Sequence, residues 1–401
     1  MNPLLAGSAL GTPLPRVLRP QRALPADTVR PTRAEINLAA LRHNLRVVAR
    51  QAAGAEVYCV LKADGYGHGS KGVARTLERA GAHGIAVALL EEAIELRDAG
   101  IRAPILVMGG TFGRSWGEVL RHDLVPVLHD LGQLDELADE VRHSGSPAAP
   151  IHVKIDSGMG RLGVAPRDVP RLAEALRFAP EVRLDGLMTH FACADTRDVE
   201  SLERQLALFE EATRELARQG IVPRVRHAAN SAATLALPAA RLDLVRPGIA
   251  IFGVSPFDAP VSELRPAMRI RTELVALREI AIGGGVGYGA TWRAARPSRV
   301  ATLPMGYADG LSRGLSNRGS VLVRGRRAPI VGAVSMDMTM VDVTDLPGAA
   351  VGDECVVLGA QSGPLGSDSI GAEELAGLLG TVPWEILTSV SRRVPRFYRE
   401  P

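Results

Sequence analysis

The stretch Val57-Tyr58-Cys59-Val60-Leu61-Lys62-Ala63-Asp64-Gly65-Tyr66-Gly67-His68-Gly69 decides the fold. An apolar run meets a lysine and then a turn with three glycines. A continuous apolar run, unlike an alternating one, marks a parallel strand buried on both faces. An open doubly wound sheet would place a phosphate-binding glycine fingerprint in this first strand-to-helix turn. Residues 62–69 do not match that fingerprint, which favours a closed barrel.

Similar runs recur at 85–89, 105–108, 125–128, 151–155, 184–189, 225–228 and 244–246. Helical patterns lie between most of them, at 91–99, 131–141 and 201–218 among others. In the last, Leu202, Leu206, Phe209 and Leu216 recur at helical spacing behind Ser201 as the expected cap. Eight strands, each followed by a helix or a turn toward one, make a (β/α)8 TIM-type barrel over residues 34–265. From 266 to 401 the texture changes. Segments 273–282, 298–304, 320–323, 328–334, 338–343 and 354–358 are rich in Val, Ile and Thr and are broken by Gly and Pro. They predict a C-terminal mostly-β domain, with one helix at 372–379. Residues 1–33 carry Pro3, Pro13, Pro15, Pro20, Pro25 and Pro31 without an uninterrupted apolar segment. They read as a flexible N-terminal extension and a poor signal peptide.

Composition narrows the function classes. The 401 residues are 46% apolar and 23% charged, which fits a folded chain of two or three domains. Lys plus Arg is 47 against 44 acidic residues, with no basic run, so no nucleic-acid partner is expected. Cys59, Cys193 and Cys355 form no CxxC, and the nine histidines form no HExxH. Neither a disulfide framework nor a metal site is indicated, and a reducing cytoplasm is the expected location. No apolar run approaches the roughly 18 residues of a membrane span, so no membrane partner is expected.

Barrels gather their chemistry at the C-terminal ends of their strands. There the sequence places Lys62, then Lys154, Asp156 and Arg161, then His190, then Asn230-Ser231, then Arg246-Pro247-Gly248-Ile249. A lysine delivered into a barrel mouth suits a Schiff base, because desolvation keeps its amine neutral and nucleophilic. Taken alone, an ordinary solvated strand-end lysine fits as well. Ser231 and the amides of Gly248 and Ile249 lie where barrels hold phosphate, although alone Ser231 reads as a helix cap. A Schiff-base lysine and a phosphate cradle together point to pyridoxal 5'-phosphate. Arg246 is either a strand-end ion pair or a guanidinium that keeps the pyridine nitrogen unprotonated. Gly285-Val286-Gly287-Tyr288-Gly289-Ala290 formally fits a dinucleotide fingerprint, but a poor helix follows it.

The segment 60–69 resembles the cofactor-lysine signature of the alanine racemases, which are fold type III enzymes. So do Lys154-Ile155-Asp156-Ser157-Gly158-Met159-Gly160-Arg161-Leu162-Gly163, Thr189-His190-Phe191-Ala192, Asn230-Ser231 and Arg246-Pro247-Gly248-Ile249. The later part adds Gly287-Tyr288-Gly289-Ala290-Thr291-Trp292, Gly306-Tyr307-Ala308-Asp309-Gly310, Ser335-Met336-Asp337 and Arg393-Val394-Pro395-Arg396-Phe397-Tyr398. The resemblance spans residues 34–398 and implies a role for each position. Lys62 would hold the cofactor and act as one base. Tyr288, from the β domain of a partner subunit, would be the opposite base in a homodimer with shared sites. Tyr66, Ser231, Gly248, Ile249 and Tyr398 would bind the phosphate. Arg161 would meet the cofactor's phenolic oxygen and the substrate carboxylate, helped by the Met336 N–H. His190 would lie against the ring and link Arg246 to Tyr288. Lys154 would be a candidate for carbamylation, and Tyr307 and Arg313 would line the entry. The implied reaction interconverts L- and D-alanine and supplies D-alanine for peptidoglycan. Ser335-Met336-Asp337-Met338 and Ala333 stand where many members have Cys-Met-Asp-Gln and Arg. A racemase of broader range is therefore the alternative, with a non-catalytic cofactor carrier behind it.

Overall fold

The computed structural model describes residues 29–113, 115–196 and 198–400. Most of the extension expected at 1–33 lies outside the described residues. β1 (Arg33–Asn37) is the first strand among the described residues and runs into the helix Leu38–Ala52. Eight parallel strands follow: β2 (Glu56–Val60), β3 (Gly84–Val87), β4 (Ile105–Val107), β5 (Val125–Leu128), β6 (Ala149–Lys154), β7 (Val182–Met188), β8 (Val225–His227) and β9 (Leu244–Val245). They pair in the order β8-β7-β6-β5-β4-β3-β2-β9. β8 and β9 close the ring through two flanking backbone bonds, Asp243 N–H to Arg226 O at 3.1 Å and Arg246 N–H to Ala229 O at 2.9 Å. Every residue of β3 and β4 is buried, as continuous apolar runs require of strands covered on both faces. The helix expected at 201–218 begins instead at Val199. Its cap is Asp198, whose carboxylate accepts from Ser201 N–H at 3.0 Å, so Ser201 lies inside the first turn.

The second domain contains β10 (Met268–Glu273), β11 (Ala276–Ile280), β12 (Gly285–Val286), β13 (Trp292–Arg293), β14 (Ser298–Leu303), β15 (Ser320–Val323), β16 (Arg326–Pro329), β17 (Thr339–Asp342), β18 (Glu354–Gly363), β19 (Gly366–Ile370) and β20 (Arg396–Arg399). Its main sheet runs β16-β15-β18-β10-β1-β20, with β19 on β18, beside a smaller β11-β14-β17 sheet and the β12–β13 hairpin. The strand expected over 273–282 is two strands broken near Leu274. The larger difference concerns β1. Residues 34–37 fall within the bounds expected for the barrel domain and no strand was expected there, yet β1 sits inside the second domain's sheet, antiparallel to β10 and parallel to β20. Buried Glu35 locks it there, pairing with Arg271 at 3.1 Å and Arg399 at 2.7 Å. From β1 onward the backbone thus begins in one domain's sheet, builds the barrel, and returns to complete that sheet.

Candidate active site

Lys62 leaves the end of β2 and enters a left-handed turn. Ala63, Asp64, Gly65, Tyr66 and Gly67 have φ of +52, +55, +63, +49 and +77°. Left-handed backbone costs roughly 1–2 kcal/mol at each non-glycine residue, so the surroundings must hold Ala63, Asp64 and Tyr66 there. They do so with polar anchors. Ala63 N–H donates to Glu92 Oε1 at 2.6 Å, and Ser70 N–H donates to Asp64 Oδ1 at 2.9 Å. The Tyr66 ring packs on Phe252 with centroids 5.0 Å apart. Arg396, from the second domain, donates to Gly67 O at 2.9 Å. Tyr398 donates to Gly69 O at 3.1 Å, and its ring fills the space a side chain at Gly72 would need. Burial lowers the Lys62 amine from its ordinary range, the Arg161 charge adds to that, and Glu92 opposes it.

The reversed turn carries the Tyr66 hydroxyl across the mouth to Gly248, where an added Cβ would lie 2.4 Å from it. Gly248 is therefore required by close approach. Ser231 opens the short helix Ser231–Ala236, and its true cap is Asn230, which accepts from Ala233 N–H at 3.0 Å. This frees the Ser231 hydroxyl, which accepts from Gly248 N–H at 2.8 Å and Ala250 N–H at 3.3 Å. The Tyr66 hydroxyl, the Ser231 hydroxyl and the backbone of 248–250 thus meet in one place.

Arg246 is 2% exposed and has no carboxylate partner among the described residues. Its guanidinium donates to Thr189 O at 2.7 Å, Ala228 O at 3.1 Å, His227 Nδ1 at 2.6 Å and His190 Nδ1 at 3.4 Å. Burial pushes its pKa down to about 9, so it remains a cation at neutral pH. Arginine only donates, so the Nδ1 atoms of His227 and His190 must accept and their protons sit on Nε2. His227 Nε2 then donates to His152 Nδ1 at 2.8 Å. All three imidazoles are neutral. Burial, then the Arg246 charge, pushes His190 down to about 3, and burial pushes His152 down to about 3. Arg246 Nε is buried with no hydrogen-bond partner among the described residues. A buried donor without an acceptor is costly, so this atom, at the end of a barrel strand, has room for an acceptor that the described residues do not supply.

The loop after β6 is closed by Asp156, which accepts from the amides of Gly158, Met159 and Gly160 at 2.9–3.1 Å. That closure projects Arg161 from the loop, where its charge reaches Lys62, Lys154 and His190. Lys154 is buried and donates to Leu162 O. Burial lowers its amine, with Arg161 and Arg246 adding to the effect and Asp156 opposing it.

Tyr288 and Met336 are not part of this mouth. Tyr288 is 76% exposed, in the turn Tyr288–Ala290 beside the β12–β13 hairpin, and Met336 is 53% exposed. They share one surface of the second domain, because Gly287 packs on Ala333 and Tyr307 N–H donates to Ser335 O at 3.0 Å. Reading the sequence missed Glu92, Arg396 and the His152–His227 pair. The two histidines did carry a signal, as polar residues in otherwise apolar strands, and Gly186 in β7 is small because the His152 ring lies against it.

A strand-end amine with lowered basicity, the Ser231 hydroxyl with the 248–250 backbone, and a buried arginine whose Nε has no partner among the described residues gather at the C-terminal ends of the barrel strands. The alanine racemase N-terminal domain family matches residues 36–256 and the C-terminal domain family matches residues 267–398. The chain is 60% identical to an alanine racemase of Sorangium cellulosum over 93% of its length and all of that protein. It superposes on the alanine racemase of D-cycloserine-producing Streptomyces lavendulae with a TM-score of 0.87, at 36% identity over 94% of this chain and 98% of that one. The alanine racemase of Bacillus anthracis with bound L-Ala-P gives 0.85 at 34% identity, over 93% and 96%. The chain belongs to the alanine racemase family.

Proposed function

We propose that this protein interconverts L-alanine and D-alanine with pyridoxal phosphate, supplying D-alanine for peptidoglycan synthesis in the cytoplasm. Family membership supports the reaction. The observation that carries the cofactor assignment is the orphaned Arg246 Nε beside the cradle and the desolvated Lys62 amine. The residues fit the group. Lys62 would hold it. Tyr66, Ser231, Tyr398 and the amides of Gly248 and Ile249 would bind its phosphate, the Gly248 N–H and the Tyr398 hydroxyl turning to it from Ser231 Oγ and Gly69 O, and Arg246 Nε would face the pyridine nitrogen. Bound there, the cofactor supplies the electron sink that makes the alanine Cα–H acidic.

The chain's own groups do the rest. Arg246 remains a cation at neutral pH and only donates, so beside it the ring nitrogen would stay unprotonated. Arg161 binds the substrate carboxylate, with the Met336 N–H beside it. Lys62 takes or returns the α-proton on one face. The opposite face needs a second base, and Tyr288, standing in solvent on its own chain, serves a second copy in a homodimer. A phenol is a weak base at neutral pH, and the Nε2–H of neutral His190 polarises it, backed by Arg246. A neutral Lys154 amine is the form that reacts with carbon dioxide, and its carbamate would set an anion against Arg161. No helix among the described residues is long and apolar enough to cross a membrane.

The test is direct. Purified protein with added pyridoxal phosphate should form D-alanine from L-alanine and turn over larger L-amino acids far more slowly. Equal turnover of several amino acids would move the reading to a racemase of broad range. No turnover with the cofactor bound would leave a carrier.

A further inference from the structure

We infer that Arg30 is a positioning residue for the loops that carry Tyr307 and Met336, acting through the buried carboxylate of Asp309. This rests on the reading above, in which the Met336 N–H meets the substrate carboxylate. Asp309 is fully buried at the end of the Tyr307–Asp309 turn. Arg30 grips it with two parallel bonds, Nη1 to Oδ2 at 2.9 Å and Nη2 to Oδ1 at 2.8 Å. The same guanidinium donates to Pro304 O at 3.3 Å and Arg393 O at 3.1 Å. Asp309 Oδ2 also accepts from Gly306 N–H at 3.1 Å, and its backbone oxygen accepts from Ser391 N–H at 3.1 Å. The other cation, Arg393, is 3.4 Å away and is shared with Asp337 at 2.7 Å. Arg30 is thus the closer and two-pronged partner, and it arrives from a segment that precedes β1.

The turn that Asp309 fixes sets one peptide plane. Tyr307 N–H donates to Ser335 O and Ala308 N–H donates to Met336 O, each at 3.0 Å. A trans peptide points its N–H opposite to its C=O. With Ser335 O held toward Tyr307, the Met336 N–H must point away from the turn. There is no slack between the two loops, because a Cβ on Gly306 would lie 2.3 Å from Ser335 O and 2.4 Å from Met336 O. Any shift of Asp309 therefore reorients the donor proposed for the substrate. Without Arg30 the buried carboxylate keeps the Gly306 N–H and, as its cation, only the longer, shared contact to Arg393, so it must move or admit water.

The experiment compares Arg30→Ala, Arg30→Lys, Asp309→Asn and the Arg30→Ala/Asp309→Asn double variant in the full-length holoenzyme. Loss of a charge-assisted pair to a buried carboxylate should raise KM for alanine about tenfold in Arg30→Ala while kcat falls less than about threefold. Arg30→Lys should fall between, since a lysine cannot reproduce the two-pronged grip. If Arg30 acts through Asp309, the double variant should be no worse than Arg30→Ala. Hydrogen exchange provides a readout independent of catalysis, and peptides covering 306–309 and 335–337 should exchange faster in Arg30→Ala. An unchanged KM with a lowered melting temperature would make Arg30 a plain structural tie and overturn the inference. So would effects that multiply in the double variant, or exchange that does not change in those peptides. If Arg30→Ala does not fold, Arg30→Lys carries the same comparison. A wild type that racemises alanine while the variants match it defeats this inference alone. An inactive wild type defeats the functional reading instead, and the exchange data still decide the positioning role.

Discussion

The barrel mouth and the Tyr288 face of the second domain differ in solvation, and the difference shows how the work is divided. At the mouth, Arg246, Lys154, His152 and His227 are buried, and the tautomers of His190 and His227 follow from donors that can only donate. On the other face, Tyr288, Tyr307 and Met336 all stand in solvent. Burial tunes the first set within a single chain, by lowering the basicity of the amines and keeping the imidazoles neutral. The second set has no such environment until another surface covers it. On the proposed reading one chain holds one prepared half of a site and one unprepared half, and two copies related by a twofold would complete both sites.

The largest effects should come from the prepared half. Lys62→Ala should abolish racemisation, by about 10⁴-fold, because the variant lacks both the attachment point and a base. Borohydride reduction of the wild type followed by peptide mapping should place the pyridoxyl group on Lys62. A label on another lysine would break the assignment. The contrast between the halves predicts the next effect. Mixing Lys62→Ala with Tyr288→Phe should restore roughly a quarter of wild-type activity, because half the dimers would carry one intact site of two. No recovery after demonstrated subunit exchange would place both bases in one chain and dissolve the comparison.

A smaller, directional effect sharpens it. Tyr288→Phe should slow α-deuterium exchange from L-alanine by about 10²-fold while exchange from D-alanine changes much less, since each base serves one face. Equal losses from both enantiomers would show that the two bases are not separated by face.

The two halves also differ in how far the sequence alone discloses them. Lys62 and its glycines could be read because an apolar run ended on a lysine at a strand terminus. The left-handed path of Ala63, Asp64 and Tyr66 could not, since local preference opposes it and distant partners such as Glu92 and Phe252 impose it. β1 goes unread in the sequence, inside the bounds expected for the barrel, because a five-residue strand gives no local sign of the sheet it will join. Its partners lie more than 200 residues away, on β10 and β20. Tyr288 had no chemical signal of its own and was found through family resemblance, in keeping with a residue whose environment is absent from its own chain.

The smallest effect concerns acid stability and belongs to the barrel alone. His152 and His190 are pushed down to about 3 in the folded state, and His227 is lowered well below its ordinary value, in each case chiefly by burial. Unfolded, each would titrate near 6.5. Below that pH the unfolded chain binds protons that the folded chain refuses, so stability rises with pH through this window. The contribution is complete above about pH 6.5 and is lost as pH falls toward 3, at about 1.4 kcal/mol per pH unit for each group titrating fully. His152→Gln keeps an oxygen that can accept from His227 Nε2 and removes one titrating group, at a residue outside the proposed chemistry. Its stability at pH 7 should be lower than wild type, because the amide fills the imidazole's space poorly beside Gly186. Its decline between pH 6.5 and 4.5 should nonetheless be shallower, by about one proton's worth. Denaturant midpoints taken every half pH unit would show the two curves converging as the solution becomes more acid. Parallel curves would mean that His152 is already charged when folded, and the chain of neutral imidazoles behind Arg246 would have to be redrawn.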